Sequence, residues 1–237
     1  MRIIFVSCLV LVIMMPTLIK ANLHKADRAK FNAIIEDFIR KNPEVVRDAL
    51  IALAAREEAE RKQAGLAKVR NDLGDPVMGN PNGKITLYEF SDYNCGYCKR
   101  VFQPIQQLLR DNPDVRLVIK EFPILSQSSF VAAKAAIAAQ MQGKFSAYHI
   151  ALMTYRGQIT DDVVMRLAAQ AGVNKKQLKL DMESRKTAAI IQRTREAATA
   201  LEINGTPGLV IGNKVVPGAI GLNELIELIA EERNKQD

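Results

Sequence analysis

The spacing of hydrophobic residues predicts two helices in the first part of the chain. Over residues 22–42 apolar side chains recur every three or four positions, as on one face of an α-helix. Pro43 follows, and proline suits the first position of a second helix, which carries an apolar face of its own. The apolar positions are Phe31, Ile34, Ile35, Phe38 and Ile39 in the first helix and Val46, Ala49, Leu50 and Leu53 in the second.

The two apolar faces must be buried somewhere, although residues 22–60 contain no obvious core of their own. They could pack on the following domain or on copies of the same chain. The charged stretch REEAERK (56–62) resembles a spacer between these helices and the rest of the chain. We therefore expect a homo-oligomer formed through residues 22–60.

Short apolar runs then predict an α/β domain. The segment DPVMGNPNG (75–83) is rich in turn residues and predicts a boundary. After it, KITLYEF (84–90) and VRLVIKEFP (115–123) are typical of buried strands, and a helical pattern lies between them. A strand–helix–strand unit of this kind forms a right-handed parallel pair.

The second half of the chain predicts a block of helices followed by a hairpin. Residues 126–203 have helical patterns throughout, and residues 208–237 predict strand, Gly-Asn turn, strand and an amphipathic helix. We divide the chain into a helical module at 22–72 and an α/β domain at 73–237 that contains this helical insertion.

The first residues predict a secretory signal peptide at 1–21. Arg2 precedes an apolar run from Ile3 to Met15, and Ala21 offers a small residue for cleavage. An uncleaved membrane anchor is the alternative. We expect an exported protein.

Composition and charge exclude one class of partner. The chain is 48% hydrophobic and 25% charged, as in globular proteins, and its formal net charge is +7. The basic residues are interleaved with acidic ones and form no long basic block, so we expect no nucleic-acid partner.

Cleavage of the signal peptide would leave Cys95 and Cys98 as the remaining cysteines of the chain. Disulfides persist in exported proteins, but a bridge across so short a loop stabilises a fold less than a long-range one. A structural zinc site needs four ligands, and the histidines of the chain are His24 and His149, of which we expect His149 to be satisfied or on the surface. The spacing favours a redox centre, with no metal.

The position of the pair predicts distinct roles for its two sulfurs. Cys95 falls where a helix begins, and the unpaired N–H groups there favour a thiolate. It is the expected nucleophile, and Cys98, about one turn further, is the expected buried resolving thiol. Gly96 would allow a substrate backbone to approach closely, Tyr97 would tune the environment, and the basic residues at 99–100 would favour the thiolate.

Three stretches of sequence carry a resemblance to a known family. They are YEFSDYNCGYCKR (88–100), KEFPIL (120–125) and NGTPGLVIG (204–212). With the order of the predicted elements, they resemble the DsbA-like branch of the thioredoxin superfamily, and most of all its ScsC-type exported oxidoreductases. The resemblance implies a thioredoxin-like α/β fold with a helical insertion and an N-terminal helical extension, in the bacterial periplasm.

The resemblance also implies roles for further residues. Thr206 and Pro207 should form a cis-proline loop that faces the cysteines and binds an extended substrate peptide. Glu89 matches a buried acid of the family, and Lys120 resembles its partner. As a pair they could shuttle the proton of Cys98, although an ordinary ion pair is the alternative.

Three functions follow as hypotheses. The first is a disulfide isomerase or reductase that acts on unfolded or misoxidised exported proteins and is kept reduced by a membrane thiol donor. The second is a dithiol oxidase, reoxidised by a quinone-linked membrane oxidase. The third is a non-catalytic scaffold that only binds partners. The first two need no cofactor beyond the redox-active disulfide Cys95–Cys98. The best-known DsbA oxidases have Pro-His between the cysteines, whereas this chain has Gly-Tyr, which weakens the case for strong oxidising power.

Overall fold

The computed structural model describes the backbone of residues 15–235 and the side chains of residues 27–235. The predicted signal peptide therefore lies outside the described side chains, and its first fourteen residues lie outside the described backbone. Within the described part, no helix has the length and apolar character that crossing a membrane requires.

Two helices precede the sheet, as the hydrophobic pattern predicts. Helix α1 spans Met15–Lys41 and α2 spans Pro43–Arg70, so Pro43 is the first residue of its helix. The predicted apolar side chains of the first helix, at residues 31–39, are uncovered in the single chain, with Phe31 66% and Ile34 65% exposed. The same holds for the beginning of the second helix, where Val46, Leu50, Ile51 and Leu53 are exposed.

The chain divides into two compact units within α2. Among the described residues, those up to 58 belong to one unit, and residues 59–235 form the other. Leu66 and Val69, three positions apart on one face of the helix, are fully buried in a cluster with Phe90 of the sheet. Residues 59–72 of the predicted helical module therefore belong to the compact α/β unit.

A five-stranded sheet with the order β1-β3-β2-β4-β5 forms the centre of this unit. Its strands are β1 (Val77–Gly79), β2 (Ile85–Ser91), β3 (Val115–Glu121), β4 (Gly208–Ile211) and β5 (Lys214–Pro217). Strands β2 and β3 pair in parallel, whereas β1, β4 and β5 pair antiparallel to their neighbours. Strand β1 lies in the segment that we predicted to be a turn-rich boundary. The sequence does not predict this strand, because three residues are too few to show a periodic pattern.

Helices cover both faces of the sheet. Helix α3 (Gly96–Asp111) joins β2 to β3, and α9 (Leu222–Arg233) ends the described fold. The predicted insertion is helical, and it consists of α4 (Gln127–Met141), α5 (Phe145–Thr154), α6 (Asp161–Gln170), α7 (Lys175–Met182) and α8 (Arg185–Ala200). Side chains alternate along the strands, so Leu87 and Ile119 join a core with α3 and the insertion, while Tyr88 and Phe90 face α8 and the end of α2.

The sheet register contradicts the expected pairing of Glu89 with Lys120. Glu89 lies opposite Ile119 in the parallel pair, and Lys120 is one position further. Because successive side chains of a strand point to opposite faces, the two charged groups lie on opposite sides of the sheet. The Lys120 ammonium, which is 0% exposed, instead contacts Asp75 Oδ2 at 2.5 Å, and Arg193 contacts the same oxygen at 3.2 Å.

Removing one partner of this buried pair is expected to destabilise the fold strongly. Lys120→Met leaves the Asp75 carboxylate buried with Arg193 alone, so we expect a loss of about 3 kcal/mol in the free energy of unfolding. Urea denaturation followed by circular dichroism measures it. The double variant Asp75→Asn with Lys120→Met should recover part of the loss, and a single-variant loss below about 1 kcal/mol would contradict the assignment.

Candidate active site

Cys95 lies between the central strand β2 and helix α3, where the sequence places it. It is the N-cap residue of α3, with extended backbone, and its Sγ accepts a hydrogen bond from the backbone N–H of Cys98 at 3.4 Å. The first N–H groups of a helix have no partner within it, so a sulfur at this position can satisfy one of them. The same groups favour a negative charge on that sulfur.

The two cysteines differ in exposure, but less than the sequence suggests. Cys98 is fully buried, and Cys95 is only 5% exposed. The carbonyl oxygen of Thr206 lies 3.2 Å from Cys95 Sγ and accepts a hydrogen bond from the thiol. The loop that contains Thr206 therefore covers most of the sulfur that we expected to be exposed.

The peptide bond between Thr206 and Pro207 is cis, which confirms the cis-proline prediction. A groove of about 240 Å³ runs along this loop and is lined on its other side by Val215 and Pro217 of β5 and its neighbour Gly218. The groove borders the loop, while the loop itself reaches Cys95 through the carbonyl of Thr206.

Electrostatic surroundings separate the pKa values of the two thiols. The hydrogen bond with the Cys98 side chain lowers the pKa of Cys95 to about 5, although burial alone would raise it. The backbone N–H groups of Cys98 and Tyr97 also lower this pKa. Burial raises the pKa of the Cys98 thiol well above its usual value, and Cys95 and Glu89 raise it further. Near neutral pH one sulfur is therefore a thiolate and the other keeps its proton.

Glu89 is buried on the same sheet face as the cysteines. Its Oε1 accepts a hydrogen bond from the Ser91 hydroxyl at 3.0 Å. Burial raises the pKa of Glu89 to about 7. The charge of Cys95 raises this pKa further, and the hydrogen bond from Ser91 lowers it in part. Because the carboxyl group interacts electrostatically with both thiols, it can exchange a proton near them at neutral pH.

The residues between and after the cysteines lie nearer the surface than the two sulfurs, and their side chains have other partners. A Cβ atom on Gly96 would meet nothing within 4 Å, so the space beside this residue is open. Tyr97 is 57% exposed, and the Arg100 guanidinium lies 4.7 Å from the centre of its ring. The Lys99 ammonium donates a hydrogen bond to the carbonyl of Tyr155 at 2.9 Å. Both basic groups are thus engaged with partners other than the sulfur that we expected them to stabilise.

A buried polar group behind the cysteines was missed by the sequence analysis. The Tyr93 hydroxyl donates a hydrogen bond to Glu121 Oε1 at 2.8 Å and lies 3.0 Å from His149 Nδ1. Burial raises the pKa of Glu121 well above its usual value and lowers that of His149 to about 3, so the imidazole is neutral. His149 is satisfied, as predicted. The sequence carried no signal for Glu121, because its place opposite Ser91 at the ends of β3 and β2 depends on the register of the two strands.

Metal binding finds no support among the described residues. They contain no group of three or more His, Cys, Asp or Glu side chains arranged to hold a metal ion.

Known proteins resemble most of the chain. The family model described as thioredoxin matches residues 70–231. A thioredoxin-like oxidoreductase from Silicibacter pomeroyi is 41% identical, with a TM-score of 0.68 over 70% of this chain and 96% of that one. ScsC from Proteus mirabilis, in a transitional conformation, is 26% identical, with a TM-score of 0.68 over 89% of this chain and 99% of that one.

The thiol-disulfide exchange protein α-DsbA2 from Wolbachia pipientis is 27% identical, with a TM-score of 0.66 over 74% of this chain and 97% of that one. Curated relatives include the NhaA Na(+)/H(+) antiporters of Mycolicibacterium gilvum and two Salinispora species, and the chain spans only 24% of the length of each.

The difference between the two thiols can be measured by alkylation. In the reduced protein the rate of Cys95 modification by iodoacetamide should follow a pH profile with a midpoint near 5, because the thiolate is the reactive form. Cys98→Ala removes the hydrogen bond with the largest effect, so the midpoint should rise by about one pH unit or more. An unchanged midpoint in Cys98→Ala would contradict this account, and Cys95→Ala serves to identify the modified sulfur.

Proposed function

The chain belongs to the thioredoxin family, in its DsbA-like branch of thiol–disulfide oxidoreductases, and we propose that it is an exported disulfide isomerase or reductase that acts on protein disulfides. One observation supports this above the others. Cys95 Sγ lies at the N-terminus of α3 with a pKa of about 5, while Cys98 keeps its proton one turn away. A nucleophile and a resolving thiol in these two states are what exchange with a client disulfide requires.

The reaction begins with the Cys95 thiolate. It attacks one sulfur of a client disulfide, a mixed disulfide forms, and the other client sulfur leaves as a thiolate. In isomerisation, a second client thiolate attacks the client sulfur of the mixed disulfide and releases the Cys95 thiolate again. No net oxidation or reduction occurs in this route.

Reduction uses the second sulfur and a proton acceptor. Cys98 gives its proton to Glu89 and attacks Cys95 Sγ, which releases the client thiolate and leaves the Cys95–Cys98 disulfide. Glu89 suits this role because it is buried with both thiols and titrates near neutral pH. The two electrons that the client gains must be returned to this protein by a membrane thiol donor.

The loop at Thr206 and Pro207 is the proposed client site. An extended client segment could pair with the backbone of this loop, because the Thr206 carbonyl lies 3.2 Å from Cys95 Sγ and the space at Gly96, the next residue, is open. Backbone hydrogen bonds to such a segment are independent of its sequence, which suits an enzyme that meets many clients. Tyr97, exposed beside Gly96, would contact the same segment.

The N-terminal helices are the proposed assembly module. Their apolar residues between 31 and 53 are exposed, and a contiguous apolar surface of this kind marks an interface. We assign residues 1–21 to a signal peptide, the helical module at 22–72 to oligomerisation through its exposed part up to residue 58, and 73–237 to catalysis in the periplasm. Several active sites in one assembly would suit isomerisation, since one client could meet more than one Cys95.

The oxidase remains a second candidate on one specific observation. A low pKa at Cys95 stabilises the reduced dithiol, and this makes the corresponding disulfide a stronger oxidant. In that case the Cys95–Cys98 disulfide would pass to client thiols, and a quinone-linked membrane oxidase would restore it.

Reactivation of a scrambled-disulfide model protein tests the proposal. The purified chain without residues 1–21, in a thiol buffer, should restore activity to scrambled ribonuclease at several times the rate of buffer alone. Cys95→Ala should abolish the acceleration, because it removes the attacking sulfur. Rapid oxidation of a reduced client without reactivation would favour the oxidase, and absence of both activities would favour the scaffold.

Charge on the exposed helix face tests the assembly module. Ile35→Asp with Phe38→Asp should yield monomers, because buried unpaired carboxylates cost more than the interface gains. Ala33→Asp is the matched control, since residue 33 lies on the opposite side of α1 at 100° per residue. Light scattering gives the molar mass, and a wild-type chain that is already monomeric would refute the module.

A further inference from the structure

The three residues that precede Cys95 connect it to separate parts of the fold. Asp92 Oδ2 accepts hydrogen bonds from the backbone N–H groups of Ile124 and Leu125 at 3.0 and 3.1 Å. Its Oδ1 accepts from the backbone N–H of Asn94 at 2.9 Å, and its carbonyl accepts from that of Cys95 at 3.0 Å. Asp92 therefore shapes the loop from within and attaches it to the segment after β3.

Asn94, immediately before the nucleophile, makes its side-chain hydrogen bonds within the described residues to the helical insertion. Its Nδ2 lies 3.1 Å from the hydroxyl oxygens of Ser126, Ser128 and Ser129 at the start of α4. Its Oδ1 accepts a hydrogen bond from the backbone N–H of Ile159 at 3.1 Å, in the loop between α5 and α6. The nitrogen and the oxygen of this amide group therefore both form hydrogen bonds, and their partners lie in two different segments of the insertion.

The contacts of Asn94 form a connected cluster. Ser126 caps α4 by accepting from the backbone N–H of Ser129, and its hydroxyl lies 3.0 Å from those of Ser128 and Ser129. The amide has two hydrogens for three hydroxyl oxygens, so one hydroxyl can be lost without leaving a hydrogen unpaired. Networks of this kind fix geometry better than single bonds do.

We propose that Asn94 is a positioning residue that holds Cys95 in register with the helical insertion, so that the insertion as well as the sheet sets the orientation of the nucleophilic sulfur. This inference rests on the proposed exchange chemistry at Cys95.

The sulfur is sensitive to such positioning. Its hydrogen bond from the Cys98 N–H, which favours the thiolate, is already long, at 3.4 Å. A shift of the preceding residue by a fraction of an ångström would weaken the interactions that favour the thiolate and would misalign its attack. Displacements of about 1 Å at a reacting group cost up to about 100-fold in rate.

Asn94→Ala is the test, with three measurements on the reduced protein. These are the pH profile of Cys95 alkylation, the rate of exchange with a peptide disulfide, and the melting temperature. We expect exchange at pH 7 to slow by about 10-fold and the alkylation midpoint to rise by about one pH unit. A residue that only stabilised the fold would lower the melting temperature and leave the alkylation midpoint in place.

Two variants serve as matched controls. Ser128→Ala leaves two hydroxyls for the two amide hydrogens. Its exchange rate should therefore stay within about twofold of wild type, and its alkylation midpoint within about 0.3 pH units. Asn174→Ala removes another asparagine of the insertion, which caps α7 by accepting from Lys176 and Gln177 and has no contact with the 92–95 loop among its hydrogen bonds. It should affect stability alone.

Failure of the inference about Asn94 can be distinguished from failure of the proposed function. An Asn94→Ala protein with the exchange rate and alkylation midpoint of wild type would overturn the inference. If wild type exchanges with no disulfide, the proposed function fails, and the alkylation midpoint alone decides on Asn94. If Asn94→Ala does not fold, the double variant Ser126→Ala with Ser128→Ala replaces it, because it removes two acceptors without altering the loop, and the same rise of the midpoint is expected.

Discussion

One constraint organises this molecule, namely that a sulfur atom caps a helix at the end of the central strand. Cys95 can do so because β2 lies between β3 and β4, which places the residues after Ser91 at the middle of the sheet edge. The pairing of Phe90 with Gly208 then brings the start of β4, and with it Thr206, to the same place. The cap, the covering loop and the separated thiol pKa values all follow from this strand order.

Strand alternation keeps two buried polar systems apart. Glu89 and Glu121 lie on the face with the cysteines, where their carboxyl groups can be neutral and hold a proton. Lys120 and Asp75 lie on the other face, where they form an ion pair with Arg193 nearby. A positive charge beside Glu89 would favour its ionised form, so the separation keeps its pKa in the range that proton exchange near the thiols requires.

Much of this arrangement could be predicted from the sequence, because it depends on local pattern. Short apolar runs and turn residues identified β2, β3 and the hairpin, helical spacing identified the helices, and the CxxC spacing identified the cysteines. The cis bond at Pro207 came from a resemblance, since a Thr-Pro pair alone does not distinguish the two isomers. Strand β1, the pairing of Lys120 with Asp75 and the contact of Tyr93 with Glu121 were not predictable in the same way. Each depends on register between segments that are distant in sequence, and register is decided by tertiary packing.

The place of the insertion in the chain has a consequence for how the molecule folds. Helices α4–α8 lie between β3 and β4, so the loop at Thr206 is separated from Cys95 by more than a hundred residues. Contacts of such large sequence separation form late, because the chain entropy lost in closing the loop precedes the gain from the contact. In the order of synthesis, both cysteines are therefore made more than a hundred residues before the segment whose Thr206 carbonyl covers Cys95. Until β4 pairs with β2, nothing from that segment can cover the sulfur, so protection of the nucleophile depends on the last strands of the chain.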